Sequence, residues 1–210
     1  MTESTHDYWT AYPPWHVALA ADAKHCIDLI RRDVPLCRDT NVLEIGCGHG
    51  IFTYHLAHVC RVNGIDTSID DLEVNPVRSV LRMDATRLAF ADGSFDVVIA
   101  HHALHHIPDH ERALAEMARV SRRYVVVSDL NRWSPVNRVF LALGSEEMPD
   151  PYFSARWLEG AFERVGLRVV RRRTWGMMSP FLTPRSFAAL LRLRWFEQPL
   201  GLEHLVIGEK

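Results

Sequence analysis

The sequence predicts an α/β fold in which a mainly parallel β-sheet is covered by helices on both faces. Three observations carry this expectation. Short apolar, β-branched runs alternate with segments of helical periodicity along most of the 210 residues. The run at 95–100, FDVVIA, is almost wholly apolar, as a strand covered on both faces must be. The run Asn41–Ile45 stops at a loop with glycine at every second position, Gly46, Gly48 and Gly50, and a helical segment follows.

In chain order, residues 16–32 read as a helix, because Val17, Ala20, Ala23, Ile27 and Ile30 recur at helical spacing and Asp33-Val34-Pro35 ends it. Asn41–Ile45 is the first strand and 50–57 the helix after it. The second strand, 61–65, ends at Asp66. The segment 69–77, IDDLEVNPV, stands where the next helix belongs, and Asn75 and Pro76 shorten or abolish it. Residues 79–83 and 95–100 are the third and fourth strands. Asp109 caps a helix to about Val120, with Ala113, Leu114, Met117 and Val120 on one face. A fifth strand at 124–128, a helix at 153–165 ended by Gly166, a sixth strand at 167–170 and a last strand at 204–208 complete the series. With no repeat, low-complexity stretch or linker, 1–210 reads as one domain. It divides into an N-terminal helix and lid segment (1–40), a cofactor-binding half (41–130) and an acceptor-side half (131–210). The long insertions at 131–151 and 174–202 are where specificity is expected.

Composition excludes several function classes. The net charge of -2 exerts no global pull on nucleic acid or anionic lipid. From position 151 onward, ten Lys/Arg (Arg171, Arg172 and Arg173 among them) face five Asp/Glu, a tilt that reads as a solvated face. Cys26, Cys37, Cys47 and Cys60 contain no CxxC pair, so neither a disulfide framework nor a zinc knuckle is expected. The N-terminal MTESTHDYW lacks the basic and apolar stretches of a secretory signal, and no apolar run approaches membrane-spanning length. These features read as a reduced, cytoplasmic enzyme that does not engage a membrane.

The chemistry starts at the glycine loop. Glycines at alternate positions let the backbone turn sharply and let a ligand approach without meeting a Cβ. The ligand then lies at the carboxyl ends of the strands, where open α/β sheets bind. Asp66, twenty residues after Gly46, can accept both hydroxyls of a ribose. A nucleoside cofactor follows, and NAD is one candidate. The dinucleotide pattern is GxGxxG, however, and its third glycine position is occupied here by Ile51.

The ordered set VLEIGCGHG, GIDTS and MDATRLAFADGSFDVVIAHHALHHIPD resembles the class I S-adenosylmethionine-dependent methyltransferases, most closely the small-molecule "type 11" family. The resemblance is close over about residues 41–130. It implies a Rossmann-like, doubly wound, seven-stranded sheet of order 3-2-1-4-5-7-6 with strand 7 antiparallel. It also implies roles. Gly46, Cys47 and Gly48 would hold the methionine portion of S-adenosyl-L-methionine, with Glu44 orienting the loop from beneath. Asp66 would take the ribose hydroxyls and Thr67 would lie against the adenine. Asp84 would accept the adenine amino group and Ala85 would offer its N–H to the ring. His101 would line the cofactor near the reacting methyl.

Methyl transfer asks chiefly for alignment and exclusion of water, so one proton acceptor suffices. His101 or His105 can supply it. The cluster His101, His102, His105 and His106 is not read as a metal site, because no acidic ligand stands nearby in sequence. Tyr8, Trp9, Tyr12 and Trp15 either cover the cofactor or pack against the sheet edge. Trp175, Met177, Met178, Phe181 and Phe187 suggest an apolar wall, although such residues also build cores. The expected partner is a small-molecule acceptor, methylated at O, N or C. Three competing readings are a methyltransferase acting on RNA or protein, a non-catalytic S-adenosylmethionine binder and a nicotinamide oxidoreductase. Against the first, strand 4 is followed by AHHA rather than an NPPY-like tetrapeptide, and no nucleic acid partner is expected.

Overall fold

The computed structural model describes residues 13–142, 153–176 and 200–210. The elements are α1 (Val17–Arg31), β1 (Asn41–Ile45), α2 (Ile51–Leu56), β2 (Arg61–Asp66), α3 (Ile69–Val74), β3 (Val80–Arg82), β4 (Phe95–His101), α4 (His110–Val120), β5 (Ser121–Leu130), α5 (Pro135–Ala142), α6 (Ala155–Arg164), β6 (Arg168–Trp175) and β7 (Glu203–Glu209). A 3-10 turn at Leu104–His106 follows β4. The strands form one sheet of order β3-β2-β1-β4-β5-β7-β6, as the resemblance implies. Strands β1 to β5 pair in parallel, and β7 runs antiparallel to both β5 and β6. The start of β7 therefore lies beside the carboxyl end of β5, where Glu203 pairs with Leu130.

The sheet is buried on both faces because the middle of its central strands, Val97–Ala100 and Val125–Val127 above all, is apolar on both sides. Val97 and Ile99 of β4 join Val42, Val62, Phe52 and Leu56, with Ile27 and Ile30 of α1, in one core layer. Val98 and Ala100 point the other way, among Leu43, Ile45, Leu114, Met117, Leu158 and Phe162. Each such side chain contributes about 1.5–3 kcal/mol when fully buried. The two layers clamp the strand ends from which the site is built.

Several boundaries differ from expectation. Strand β5 begins at Ser121, before two exposed arginines, because parallel pairing starts at Phe95↔Ser121. Strand β6 runs to Trp175, beyond the expected end at 170 and through the arginines that read as a solvated face. Those arginines are paired: Arg171 and Arg173 each reach Asp33 at 2.9 Å, Arg172 reaches Glu159 at 3.1 Å, and Arg168 pairs with Glu209. Trp175 is 1% exposed and packs on His25, so it belongs to the core. Trp15 is 62% exposed and meets Tyr54 edge-on. Tyr8, Trp9, Tyr12, Met177, Met178, Phe181 and Phe187 lie outside the described residues. Among the described residues, no helix is long and apolar enough to cross a membrane.

Candidate cofactor cleft

The loop after β1 is held by β2. The amides of Gly46 and Cys47 both donate to the Ile65 carbonyl, at 2.8 and 2.9 Å. Gly46 sits at φ 69°, and a Cβ there would come within 2.4 Å of the Ala103 Cβ. Only glycine meets both the left-handed backbone and that close approach. The Gly48 amide donates to Asp66 Oδ2 at 2.8 Å, and the Ser68 amide donates to Asp66 Oδ1 at 3.0 Å. Asp66 is thus the post that fixes the loop and the entry to α3 together. Asn75, which stops α3, donates from Nδ2 to the Gly48 carbonyl at 2.9 Å and is buried behind the loop.

A cleft of about 600 Å³ opens over these groups. Gly46, Asp66, Thr67, Asp84 and Ala85 line it, five of the residues expected from sequence. Ala103 and His106 form the opposite wall, together with His102. Asp84 Oδ1 accepts both the Thr86 amide and the Thr86 hydroxyl at 2.8 Å, and those bonds hold its carboxyl below the usual range. Four acidic residues, Asp66, Asp71, Asp84 and Asp109, line one cleft, with Asp71 also 3.0 Å from His49. That surface suits a cationic nucleoside and opposes a pyrophosphate.

Glu44 and Cys47 are buried beneath the loop, at 2% and 4% exposure. Glu44 Oε2 is buried with no hydrogen-bond partner. Burial pushes the Glu44 carboxyl up to about 8, and the nearby Asp66 adds to the shift. Cys47 packs against Gly64, where a Cβ would come within 2.8 Å of both Cβ and Sγ of Cys47.

The histidines divide in a way that sequence spacing did not reveal. His101 stacks on Phe52 with ring centroids 4.3 Å apart, and burial pushes it well below the ordinary histidine range. It does not line the cleft; its neighbour His102 does. The His105 side chain is 3% exposed, and its Nδ1 is hydrogen-bonded to the fully buried carboxylate of Asp129. The His105 amide also donates to Asp129, at 3.2 Å. That pairing anchors the 3-10 turn to β5, and against the burial penalty it holds Asp129 below the usual carboxylate range.

His102 is the one non-glycine residue at positive φ, 51°, among the described residues. Such a conformation is sparsely populated and persists where its surroundings enforce it. Its amide donates to the Ser128 carbonyl at 2.8 Å, and its Nε2 lies 2.9 Å from Glu203 Oε2. Burial opposes the charged ring, but Glu203 overcomes this and holds His102 up to about 9. His101, His102 and Glu203 offer three ligand atoms within 4.8 Å of one another. Sequence reasoning found no acid near the histidines because Glu203 stands at the far end of the chain. The antiparallel last strand was the signal that could have placed it there.

A family model described as "Methyltransferase domain" matches residues 43–126. The chain is 35% identical over 96 residues to a phosphatidylethanolamine N-methyltransferase of Cereibacter sphaeroides, covering 41% of this chain and 47% of that one. It is 32% identical over 202 residues to a demethylmenaquinone methyltransferase of Staphylococcus aureus, covering 86% of this chain and 81% of that one. The chain spans about half the length of the first curated relatives it matches. Among solved structures, a Thermotoga maritima S-adenosylmethionine-dependent methyltransferase, titled a possible histamine N-methyltransferase, superposes with a TM-score of 0.73 at 20% identity. That match covers 98% of this chain and 97% of that one. The sheet order, the glycine loop and these relatives converge: the chain belongs to the S-adenosylmethionine-dependent methyltransferase family.

Proposed function

We propose that this protein transfers the methyl group of S-adenosylmethionine to a small-molecule acceptor. The observation that carries the reading is the acid-lined cleft at the carboxyl ends of the parallel strands, where Gly46, Asp66 and Asp84-Ala85 meet. The cofactor is cationic, and the cradle at Gly46 admits no Cβ. The residues present therefore fit it. When bound, S-adenosylmethionine supplies an electrophilic methyl carbon on a sulfonium.

The chain's own residues do the rest. Both oxygens of Asp66 accept loop amides, and each keeps a lone pair with which to receive a ribose hydroxyl. Thr67 and the Asp84-Ala85 turn bracket the adenine end. The backbone of Gly46, Cys47 and Gly48 takes the methionine end, over buried Glu44. The wall formed by His102, Ala103 and His106 faces the acceptor.

The names of the relatives carry small acceptors, demethylmenaquinone and phosphatidylethanolamine, which supports an acceptor of that broad class here. The four β6 arginines are all paired with acids, which leaves little free charge for a phosphate backbone. The test is a metabolite screen with isotope-labelled S-adenosylmethionine, read by mass spectrometry. Label in a small molecule is expected. Label confined to RNA or protein overturns the acceptor class.

A further inference from the structure

The end of β4 and the start of β7 bring three metal-ligating residue types together. Strand β4 pairs with β5 at His101↔Ser128, and β5 pairs with β7 at Ser128↔Leu205 and Leu130↔Glu203. One atom each of His101, His102 and Glu203 then lies within 4.8 Å of the other two. The acid missing beside the histidines in sequence is supplied by the last strand.

The meeting of His102 and Glu203 is more than proximity. His102 Nε2 lies 2.9 Å from Glu203 Oε2, yet it is a buried atom that makes no hydrogen bond. Two ligand atoms that converge without bonding to each other are placed as neighbours around a third atom. At metal–ligand distances of about 2.0–2.2 Å, adjacent ligands of one ion stand roughly 2.8–3.6 Å apart. The 2.9 Å separation falls in that range.

We propose that His101, His102 and Glu203 are the three protein ligands of a divalent transition-metal ion of the zinc class. This goes beyond the methyltransferase reading and stands or falls without it.

The donor set selects the ion. Two imidazole nitrogens and one carboxylate oxygen suit zinc and its first-row neighbours, whereas Mg²⁺ and Ca²⁺ prefer oxygen alone. The surroundings hold each ligand in place, as the outer contacts of metal sites do. The Ser128 hydroxyl donates to Glu203 Oε2 at 3.1 Å, and Glu203 is 2% exposed. The His101 ring packs on Phe52 and His102, with centroids 4.3 and 4.4 Å away, and its Nδ1 meets Cys26 Sγ at 3.8 Å. The His102 amide donates to the Ser128 carbonyl at 2.8 Å, and the residue sits at a positive φ of 51°. Strain of that kind gathers at ligand clamps, where the fold enforces it. Charge favours the same reading. Glu203 from β7 and Asp22 from α1 are both buried and both act on His102, while Asp129 is already paired with His105. Buried carboxylates call for a pairing cation or a metal. An ion with three protein ligands keeps a position for water or substrate. His102 lines the cofactor cleft, so the site adjoins the space proposed for the acceptor.

The experiment uses the full chain, freed of metal by a chelator, without cofactor. The probes are Zn²⁺ and Mg²⁺ alone. Competition with a chromophoric chelator is expected to show one Zn²⁺ bound per chain with micromolar or tighter Kd, at least about a hundredfold more tightly than Mg²⁺. His102→Asn, which tolerates the left-handed backbone, and Glu203→Gln are each expected to weaken Zn²⁺ binding at least about tenfold. His58→Ala, at an exposed histidine just past α2, is expected to leave it unchanged. X-ray absorption of the zinc-loaded unmodified chain is expected to show two imidazoles with oxygen and no sulfur, and it decides the matter if the variants do not fold. No Zn²⁺ binding, equal affinity for Mg²⁺, sulfur bound to the ion, binding lost in His58→Ala, or affinity that survives in both ligand variants overturns the inference. The methyltransferase reading is untouched by any of these outcomes, because no cofactor is present.

Discussion

The amide of Gly48 donates a 2.8 Å hydrogen bond to the Asp66 carboxylate. The bond joins the glycine loop of β1 to the end of β2, across eighteen residues of sequence. The proposed function gives Asp66 two tasks: the carboxylate shapes the loop, and in that reading it also receives a ribose.

The two tasks separate by substitution. Asp66→Ala removes both and is expected to weaken S-adenosylmethionine binding at least about tenfold, the loss of a charged acceptor. Asp66→Asn keeps one acceptor oxygen and is expected to fall between the two. Isothermal calorimetry on folded variants checks this, and unchanged affinity in Asp66→Ala removes the ribose assignment.

Gly46→Ala is expected to abolish cofactor binding, because the new methyl would meet Ala103 Cβ at 2.4 Å. Ala103→Gly in the same chain opens that space and is expected to restore part of the affinity. The remaining deficit reflects the left-handed backbone, about 1–2 kcal/mol for a residue with a Cβ. No rescue by the double change contradicts the steric account.

Glu44 gives the stability a pH dependence of known sign. Its carboxyl is raised from 4.5 to about 8 in the folded chain. The folded state therefore holds its proton more tightly than the unfolded state does. The stability so gained is complete below the unfolded value and is lost as pH rises through the folded one. Glu44→Gln is expected to flatten the fall between pH 4.5 and about 8 and to be the more stable protein above it. Urea denaturation across that range reads the difference, and parallel curves for the two proteins contradict it.

His105 and Asp129 predict a structural phenotype. His105→Ala leaves the Asp129 carboxylate buried without its partner, which costs about 3–5 kcal/mol. The urea midpoint should fall sharply. A variant of unchanged stability that has lost only turnover contradicts the anchoring role and restores the base that the sequence suggested.

Much of this was legible in the residues. Asn41–Ile45 was bounded correctly because β-branched residues meet glycine there. Asp109 caps α4 as expected, its Oδ1 accepting the Arg112 amide at 3.2 Å. Asn75 and Pro76 hold α3 to six residues. Of the residues that local motifs marked for a cofactor, Gly46, Asp66, Thr67, Asp84 and Ala85 line one cleft, whereas Glu44, Cys47, Gly48 and His101 are not among its lining residues. What stayed hidden depends on long-range pairing. Periodicity cannot report that His105 faces Asp129 or that His102 faces Glu203, because each partner is supplied by another strand of the sheet. The arginines of β6 read as a solvated face for the same reason: their acids lie on α6 and β7, and just past α1 at Asp33.

The central claim is that the acid-lined cleft takes a cationic nucleoside. Calorimetry of the full chain against S-adenosylmethionine and NADH tests it most directly. The account predicts micromolar binding of S-adenosylmethionine and none of NADH. Binding of NADH alone would contradict it.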